Sequence, residues 1–402
     1  MIIAFRVDAS DIIGTGHVFR CLNLAYQYKE KHTIYFICKN HDYNLISKIE
    51  ETYQVFQINL EKNNNININM TSWLGESEIQ DAEKIIHVIQ ENNLQIDLLI
   101  IDHYAINETW ENKLKPFVSK ICVIDDFTNR KHNCDMLINQ QITQEEGIQK
   151  YKNNNDNDNN ILNSNCKIYC GNNYLLLHPK YFEYVHITEF NQSFMHGILK
   201  NNALNNSHTI EKIDKKYILE RINIFMGGSD TYNITEKIID ICYKFNQEQL
   251  QENKIIFDVI IGKSNKYYKK IQEKINKLNY TLSENKNVEY FNLYYNLEFI
   301  GDIFEKADLC IGAPGSTSYE RCLMKVPSLC ICIAENQKTV LHKFIESNTI
   351  KYLGTIEDDY LDKLVYYLDY FQKNSNELKI MSLNCQKLID IKENQIKHIL
   401  NI

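Results

Sequence analysis

The chain has 402 residues, a formal net charge of −8 and no long basic block, which argues against nucleic acid as its main partner. Its length is enough for two domains of ordinary size, and 44% hydrophobic residues are enough to build their cores. No apolar run approaches the length of a membrane-spanning helix, and the first ten residues lack the apolar region of a signal peptide. We therefore expect a cytoplasmic protein with no membrane partner.

The twelve cysteines are expected to be reduced thiols that fill hydrophobic cores. There is no pair of Cys-x-x-Cys motifs, and Cys166-x-x-x-Cys170 has no matching second pair. Because this spacing fits no standard zinc site, we expect no metal.

The first informative stretch is RVDASDIIGTGHVFRCLN, residues 6–23. An apolar run before it, Ile2–Phe5, predicts a buried strand, Gly14 and Gly16 predict a turn, and the helical spacing that follows places His17 at the start of a helix. The glycines let the backbone approach a ligand closely, and the helix N-terminus suits an anion. The same positive end disfavours imidazolium, so His17 is a candidate general base. A helix-cap histidine without chemistry fits this stretch equally well.

The first half of the chain alternates predicted strands with helices such as residues 79–91. The strands are continuous apolar runs, typical of a parallel sheet covered on both faces. They are Ile2–Arg6, Ile34–Cys38, Leu98–Asp102, Ile121–Asp125, Met136–Ile138 and Lys167–Cys170.

Three polar stretches interrupt this pattern. Asn63–Asn69 and Asn153–Asn165 are asparagine-rich and have too little apolar surface to order themselves, so we interpret them as loops or insertions. Residues 192–216 are interpreted as a third insertion or the interdomain linker. We place the domain boundary between residues 215 and 216.

A second series of strands and helices begins at Ile222, with helices predicted near residues 235–245 and 316–324. Its strands are Ile222–Met226, Phe257–Ile261, Val288–Phe291, Leu309–Ile311 and Ser328–Ile333. Residues 361–402 are predicted to be helical and to pack back across the domains. The fold class is therefore α/β, with two doubly wound, Rossmann-like domains whose strand ends face each other across a cleft.

Glycine- and serine-rich turns follow two strands of the second half. Gly227-Gly228-Ser229 and Gly315-Ser316-Thr317-Ser318 can cradle a phosphate with backbone amides and hydroxyls, or they can be tight turns and helix caps. Glu320 can accept two hydrogen bonds from a ribose, or it can complement the helix dipole.

Polar residues also follow strands of the first half. Tyr104 can bond a sugar or water, although packing is the commoner role of an aromatic residue after a strand. Asp102 and Asp125 are interpreted as N-caps or loop anchors rather than catalysts. Taken together, the turns of both halves indicate one diphosphate and one sugar, which is the layout of a nucleotide-sugar enzyme.

Five segments then support a family resemblance. They are FRVDASDIIGTGHVFRCLNLA, LLIIDHY, VIDDFTNRKHNCDMLIN, FMGGSDTYN and GAPGSTSYERCLMKVPSLCICIAENQ. The chain resembles the PseG family of pseudaminic acid biosynthesis, UDP-sugar hydrolases of the GT-B superfamily related to MurG-type glycosyltransferases. The resemblance implies a GT-B fold, a first domain (1–215) that carries the catalytic histidine, and a second domain (216–402) that binds UDP. It also implies a monomer without metal or cofactor.

The family's reaction is hydrolysis of UDP-2,4-diacetamido-2,4,6-trideoxy-β-L-altropyranose to UDP and the free sugar. By position, His17 would activate the water, Tyr104 and Asn336 would contact sugar or water, Glu320 would hold the ribose, and Asn233 would lie near the nucleotide. Helix N-termini near Gly228 and Ser316 would stabilise the departing UDP. The remaining expected substrate contacts are Gly14, Gly16, Gly227, Ser229, Thr317, Ser318 and Gln337.

One departure from the family is His178, where the family often has arginine, so the contact of that arginine and the fine substrate specificity do not carry over from the resemblance. Two other functions stay open: a GT-B glycosyltransferase that passes the sugar to an acceptor, and a nucleotide-sugar binding protein without catalysis. The absence of a basic or apolar docking face near the N-terminal loops favours water as the acceptor, and His17 argues against binding alone.

Overall fold

The computed structural model describes residues 1–60, 70–152, 161–184, 218–249, 254–282, 289–334, 337–389, 391 and 395–399. The chain divides into a first unit, Met1–His178 with Ile391–Ile402, and a second unit, Pro179–Asp390. The expected boundary at residues 215 and 216 lies outside the described residues, as do Asn63–Asn69, residues 153–160 of the second asparagine-rich tract and residues 192–216.

The first unit is built on a parallel sheet of seven strands. They are β1 (Ile2–Val7), β2 (Thr33–Lys39), β3 (Gln54–Ile58), β4 (Leu98–Asp102), β5 (Ile121–Ile124), β6 (Met136–Asn139) and β7 (Lys167–Cys170). Their order across the sheet is β3-β2-β1-β4-β5-β6-β7. The helices are α1 (Gly16–Tyr28), α2 (Ile46–Ile49), α3 (Glu78–Glu91), α4 (Glu108–Leu114) and α5 (Gln144–Lys152), with short 3₁₀ turns at Met70–Ser72, Lys115–Phe117 and Asn172–Tyr174.

Successive residues of these strands belong to different hydrophobic cores. Ala4 packs in one buried cluster, whereas Ile3 and Phe5 pack in another. The alternation places one core on each face of the sheet, because side chains of a strand point to opposite faces in turn. This double burial explains why the strands are continuous apolar runs.

The second unit repeats the architecture with six parallel strands. They are β8 (Arg221–Phe225), β9 (Ile256–Ile261), β10 (Phe291–Tyr295), β11 (Leu309–Gly312), β12 (Ser328–Cys332) and β13 (Ile350–Thr355), in the order β10-β9-β8-β11-β12-β13. The helices that follow in the chain are α6 (Ile234–Glu248), α7 (Tyr268–Leu282), α8 (Gly301–Phe304), α9 (Ser316–Leu323), α10 (Gln337–Glu346), α11 (Tyr360–Lys373), α12 (Asn376–Leu388) and α13 (Ile396–Ile399).

The structure confirms the two parallel α/β halves and most of the predicted strands. Two strands were missed, β3 and β13, and each is the last strand at one edge of its sheet. The third strand of the second half runs from Phe291 to Tyr295, later than predicted, and Val288 lies outside the described residues. The predicted helical tail is confirmed in α11, α12 and α13, of which α13 belongs to the first unit and the other two to the second.

Both sheets reverse their strand order at one point, between β1 and β4 in the first and between β8 and β11 in the second. In doubly wound sheets ligands bind at this switch point, beyond the carboxyl ends of the strands. Asp102 ends β4, Gly227 and Gly228 follow β8, and the turn at Gly315 follows β11. The fold therefore places the polar motifs where such sheets bind ligands.

Candidate functional site

His17 is the second residue of α1 and pairs with Asp102, the last residue of β4. A turn leads into the helix: Gly14 donates its N–H to the Ser10 carbonyl at 2.9 Å and has a φ of 82°, a value that suits glycine. The His17 side chain is buried, and its Nδ1 lies 2.7 Å from Asp102 Oδ1. Because an ionised carboxylate only accepts hydrogen bonds, Nδ1 carries the hydrogen and Nε2 is left as the basic nitrogen.

Arg20, one turn further along α1, holds the same carboxylate with two hydrogen bonds. Its Nε and Nη2 donate to Asp102 Oδ2 and Oδ1 at 2.7 and 2.6 Å. Burial opposes ionisation of Asp102, but the charge of Arg20 and the hydrogen bonds from His17 and Arg20 outweigh it and hold its pKa below the ordinary value. Asp102 is therefore a carboxylate at neutral pH, and the bidentate contact fixes its orientation toward His17.

Two aromatic side chains line the imidazole. The ring centroid of Tyr104 lies 4.5 Å from that of His17, and the ring centroid of Trp73 lies 5.9 Å from it. The Tyr104 hydroxyl donates to Asp126 Oδ2 at 2.5 Å, and Arg20 Nη1 donates to the same oxygen at 2.7 Å. Tyr104 is therefore held by Asp126 beside His17, its ring forms part of the wall, and its hydroxyl oxygen can still accept a hydrogen bond.

A buried network of charges supports this wall from the side of β2. Lys39 is fully buried, and its Nζ donates to the Leu74 carbonyl and to Glu76 Oε1, both at 2.6 Å. It also pairs with Asp81 at 2.8 Å, a carboxylate that Arg6 binds at 2.9 Å. Lys39 lies on β2 and contacts Leu74 and Glu76, which follow Trp73 in the same turn. Lys39 therefore fixes the turn that carries Trp73 to the sheet.

In the second unit, the Gly227–Asn233 loop follows β8 and precedes α6. Gly227 has a φ of 91°, and the space where its Cβ would stand is open. The helix predicted after this loop is confirmed: α6 starts at Ile234, one residue before the predicted start and some residues beyond Gly228. Asp230 accepts hydrogen bonds from the N–H groups of Ile234 and Thr235, both at 2.9 Å. These two amides are satisfied by a carboxylate, so the loop rather than the helix end offers donors to a ligand.

The turn after β11 leads directly into α9, which starts at Ser316 as predicted. Gly315 donates its N–H to Ser318 Oγ at 3.3 Å, and the space beside Gly315 is open within 4 Å of an added Cβ. Ser316 and Thr317 are half-buried, whereas Ser318 is buried. An open backbone in front of a helix N-terminus is an arrangement that suits a phosphate group.

Glu320 lies on the first turns of α9 and faces Tyr181 of the same unit. Burial is the main cause that raises the Glu320 pKa to about 7, and the neighbouring Tyr181 side chain and the charge of Arg321 oppose it. The residue is half-buried, but its Oε2 is enclosed and has no hydrogen-bond partner among the described residues. A carboxylate with an unused oxygen is suited to accept hydroxyl donors such as those of a ribose.

Four further residues singled out in the sequence lie at separate places in the chain. Asn233 precedes α6 and donates to Glu236 Oε2 at 2.5 Å. Gln337 begins α10, and its Oε1 accepts the N–H of Ile333 at 2.9 Å. His178 lies against Tyr26, with ring centroids 5.3 Å apart. Asn336 lies outside the described residues.

The structure adds residues that the sequence interpretation missed or undervalued. The N-cap interpretation of Asp102 is wrong, because the next helix starts at Glu108 and is capped by Asn107, whose Oδ1 accepts the Thr109 N–H at 2.8 Å. The loop-anchor interpretation of Asp125 is confirmed, since its Oδ1 accepts the Phe127 N–H at 3.0 Å. Three contributors near His17 were not predicted: Arg20, Trp73 and Asp126. The spacing of three residues between His17 and Arg20 was the one sequence signal, because it places both on one face of a helix.

All twelve cysteines are buried and free, as predicted. Within the described ranges, no group of three or more His, Cys, Asp or Glu side chains is arranged to hold a metal ion. In the same part of the chain, no helix has the length and hydropathy to cross a membrane.

No family model matches the sequence. The chain is 26% identical over 344 residues to the UDP-2,4-diacetamido-2,4,6-trideoxy-β-L-altropyranose hydrolase of Campylobacter jejuni, which covers 84% of this chain and 94% of that protein. It is 24% identical over 366 residues to an uncharacterized protein of Methanocaldococcus jannaschii, which covers 90% of this chain. The chain spans 61% of the length of that archaeal relative.

Solved structures show the fold. MurG of Acinetobacter baumannii aligns with a TM-score of 0.55 and 11% identity, over 99% of this chain and 97% of that chain. A UDP co-structure of MnaA from S. aureus aligns with a TM-score of 0.53 and 11% identity, over 100% and 96% of the two chains. The chain therefore has the two-domain α/β fold of GT-B enzymes, and it resembles the PseG family of UDP-sugar hydrolases.

Proposed function

We propose that this chain is an enzyme that processes a nucleotide sugar, and that it hydrolyses UDP-2,4-diacetamido-2,4,6-trideoxy-β-L-altropyranose to UDP and the free sugar. The observation that carries the proposal is the pairing of His17 Nδ1 with Asp102 at 2.7 Å, in a chain that resembles a hydrolase of that name over 84% of its length. Such a pair leaves Nε2 as a base of fixed orientation, which binding alone does not require.

The proposed reaction consumes one water. His17 Nε2 takes a proton from the water, and the water oxygen forms a bond to the anomeric carbon. The bond between that carbon and the phosphate oxygen breaks, and its electron pair leaves with UDP. The imidazolium, stabilised by the carboxylate of Asp102, then returns its proton to solvent.

The proposed nucleotide contacts come from the second unit. The open backbone at Gly227 and Gly315, with the hydroxyls of Ser316 and Thr317, supplies donors for the diphosphate. Glu320 accepts hydrogen bonds from the ribose through its unused oxygen. Asn233 is assigned to the nucleotide, and Asn336 and Tyr104 to the sugar or water, by resemblance to the family.

UDP release from a panel of UDP-sugars, with the product sugar identified by NMR, tests this function. We expect release from the 2,4-diacetamido-trideoxy-altropyranose donor alone, unchanged by EDTA. His17→Ala is expected to lower kcat by roughly 10²–10⁴-fold, the usual contribution of a general base. His87→Ala is the matched control, because His87 lies on an exposed helix face of the same unit, 3.1 Å from Glu91.

Three results would contradict the proposal. A wild-type rate of UDP release in the His17→Ala variant would show that His17 is not the general base. Loss of activity with EDTA would show that the reaction requires a metal. Release that begins only when an acceptor sugar is added would make the reaction a glycosyl transfer, the alternative that a GT-B fold also permits.

A further inference from the structure

The guanidinium of Arg321 is enclosed by the turn that follows β11. The residue has no exposed surface. Its Nη2 donates to Ser318 Oγ at 2.9 Å and to the Ala313 carbonyl at 3.1 Å. Gly315 donates to the same Ser318 hydroxyl, so one cation ties together the beginning, the middle and the end of the Ala313–Ser318 turn.

The backbone of β11 makes room for this side chain. A Cβ added to Gly312 would lie 2.5 Å from Arg321 Nη1 and 2.5 Å from the Phe225 carbonyl oxygen. Only glycine therefore fits where the guanidinium meets the two central strands. Gly312 therefore leaves the space that the guanidinium of Arg321 occupies at the switch point of the sheet.

The charge of Arg321 is not neutralised by the groups that it contacts. Its other close contacts are the thiols of Cys310 and Cys330, each at 3.7 Å. Burial raises the pKa of both thiols, that of Cys330 to about 12, so both stay neutral. Across the described residues, no carboxylate forms an ion pair with Arg321, although the charge of Arg321 lowers the pKa of Glu320, its neighbour in the chain.

Burying an unpaired cation costs free energy, because the charge loses its hydration, and buried cations in proteins are usually paired with an anion. Its field reaches further through the protein interior than through water, because the interior has a low dielectric constant and little screening by salt. The turn around Arg321 is also the turn whose open backbone stands before the N-terminus of α9. The two positive contributions, the buried charge and the helix terminus, therefore act in the same place.

We propose that Arg321 is a positioning residue whose unpaired charge makes the Ala313–Ser318 turn the binding site for the diphosphate of UDP. This inference rests on the proposed function and assigns its anion recognition to one buried side chain. Arg321 acts through the turn and through its field, since it has no exposed surface with which to touch the ligand.

The test compares the dissociation constants of UDP and uridine for the full chain, measured by calorimetry and by ligand-observed NMR. Uridine lacks the diphosphate, so the ratio of the two constants isolates phosphate recognition. Arg321→Met is expected to reduce the preference for UDP at least tenfold. The titrations are made at a pH well above the Glu320 pKa of about 7, because the Arg321 charge lowers that pKa; with Glu320 ionised in both chains, the uridine constant is expected to stay within twofold of wild type. If Arg321 had a purely structural role, its replacement would raise the dissociation constants of UDP and uridine by the same factor.

Two variants serve as controls for charge and for position. Arg321→Lys keeps the charge and is expected to retain most of the preference for UDP. Arg221→Met removes a guanidinium at the other end of the central strand β8, where it pairs with Asp258 at 2.8 Å, and is expected to leave the ratio unchanged. An unchanged ratio in Arg321→Met, or a loss in Arg321→Lys equal to that in Arg321→Met, would overturn the assignment to charge.

A salt titration of the wild-type chain covers the case in which Arg321→Met does not fold. A buried charge is poorly screened, so the preference for UDP is expected to fall less than threefold between 0.1 and 1 M NaCl. Collapse of the preference in salt would assign it to exposed lysines and overturn the inference. A wild-type chain that binds neither ligand would instead refute the proposed function.

Discussion

Asp102 decides which nitrogen of His17 is available as a base. Its carboxylate binds Nδ1 at 2.7 Å and is itself fixed by two donors of Arg20. The orientation of the imidazole is thus set by a buried ion pair between Asp102 and Arg20.

Asp102→Asn is expected to lower kcat by roughly 10²-fold or more, within the range of general-base catalysis. The amide can donate to Nδ1 and shift the hydrogen to Nε2, which removes the basic lone pair. The expected KM change is small, because the imidazole still occupies its place. Steady-state UDP release measures both constants.

The double variant with His17→Ala is the control for a shared role. If both residues act as one unit, the double variant is as slow as His17→Ala alone, and the two effects are not additive. Fully additive losses would mean that Asp102 contributes to catalysis by another route, such as the position of Arg20.

Glu320 gives nucleotide binding a pH dependence near neutrality. Burial raises its pKa to about 7, and the carboxylate form accepts ribose hydroxyls better than the protonated form. The affinity for uridine is therefore expected to fall as pH drops below 7, by up to tenfold per pH unit. Uridine is the suitable ligand because it has no phosphate that titrates in this range.

Glu320→Gln is the matched variant for that titration. At pH 8 the variant is expected to bind uridine more weakly than wild type does. Its own affinity for uridine is expected to be equal at pH 6 and pH 8. Calorimetric titrations at several pH values measure this. A variant that keeps the wild-type slope would show that another group titrates.

At the residue scale, the sequence predicted His17 and the open turns but not the partners of His17. The histidine was recognisable because glycine, helix start and strand end lie within one continuous segment. Asp102 is 85 residues away from it, and their contact depends on β1 and β4 being neighbours in the sheet. Strand order is not encoded in the apolar pattern of a single strand, so this pairing was beyond the sequence.

At the element scale, the loop between β5 and β6 is held by a histidine with two acidic partners. His132 Nδ1 lies 2.6 Å from Glu111, and its Nε2 lies 2.9 Å from Asp125. Burial opposes its charge, but hydrogen bonds and charges from Asp125 and Glu111 outweigh burial and raise the pKa to about 9. The loop carries Asp126, which holds Arg20 and Tyr104, so this buried imidazolium supports the surroundings of His17.

Stability of the first unit is expected to decrease as pH rises toward 9.5. The folded chain holds the His132 proton up to a pKa of about 9, compared with 6.5 for an ordinary histidine. Folding therefore gains from protonation fully below pH 6.5, and the gain is lost as pH rises through 9. The difference corresponds to ~3 kcal/mol of unfolding free energy at most.

Urea unfolding followed by tryptophan fluorescence measures this unit selectively, because the chain has two tryptophans and both, Trp73 and Trp110, lie in it. His132→Gln should remove the pH dependence between pH 6.5 and 9.5. His87→Gln is the exposed control and should keep it. A wild-type slope in His132→Gln would assign the effect to other groups.

The two strands missed by the sequence analysis illustrate which elements carry a weak signal. β3 reads QVFQI and has two exposed glutamines, two half-buried residues and one buried residue, whereas β4 reads LLIID and is buried throughout. A central strand of a doubly wound sheet has two covered faces and needs apolar residues at every position. An edge strand is covered less and keeps polar residues, so its pattern resembles that of a loop.

At the scale of the whole molecule, each unit is built around its own sheet and its own core. The core of the second unit gathers residues from β8, β9 and β11 with helices of the same unit, and the cores of the first unit gather residues of β1, β2, β4 and β5. Two such units need not unfold in one step. Their stabilities are then separate quantities that a ligand can change unequally.

UDP is expected to stabilise the second unit and not the first, because its proposed contacts lie in the Gly227–Asn233 loop and the Ala313–Ser318 turn. At about 100 times its dissociation constant, a ligand adds ~2.7 kcal/mol to the unit that binds it. Thermal unfolding followed by circular dichroism, which detects both units, should show an upward shift with UDP, while the tryptophan-detected transition stays in place. Equal shifts in both signals would mean that the units unfold together or that UDP also binds the first. A shift of the tryptophan-detected transition alone would mean that UDP binds the first unit, which contains His17. That result would contradict the assignment of Glu320 to the ribose.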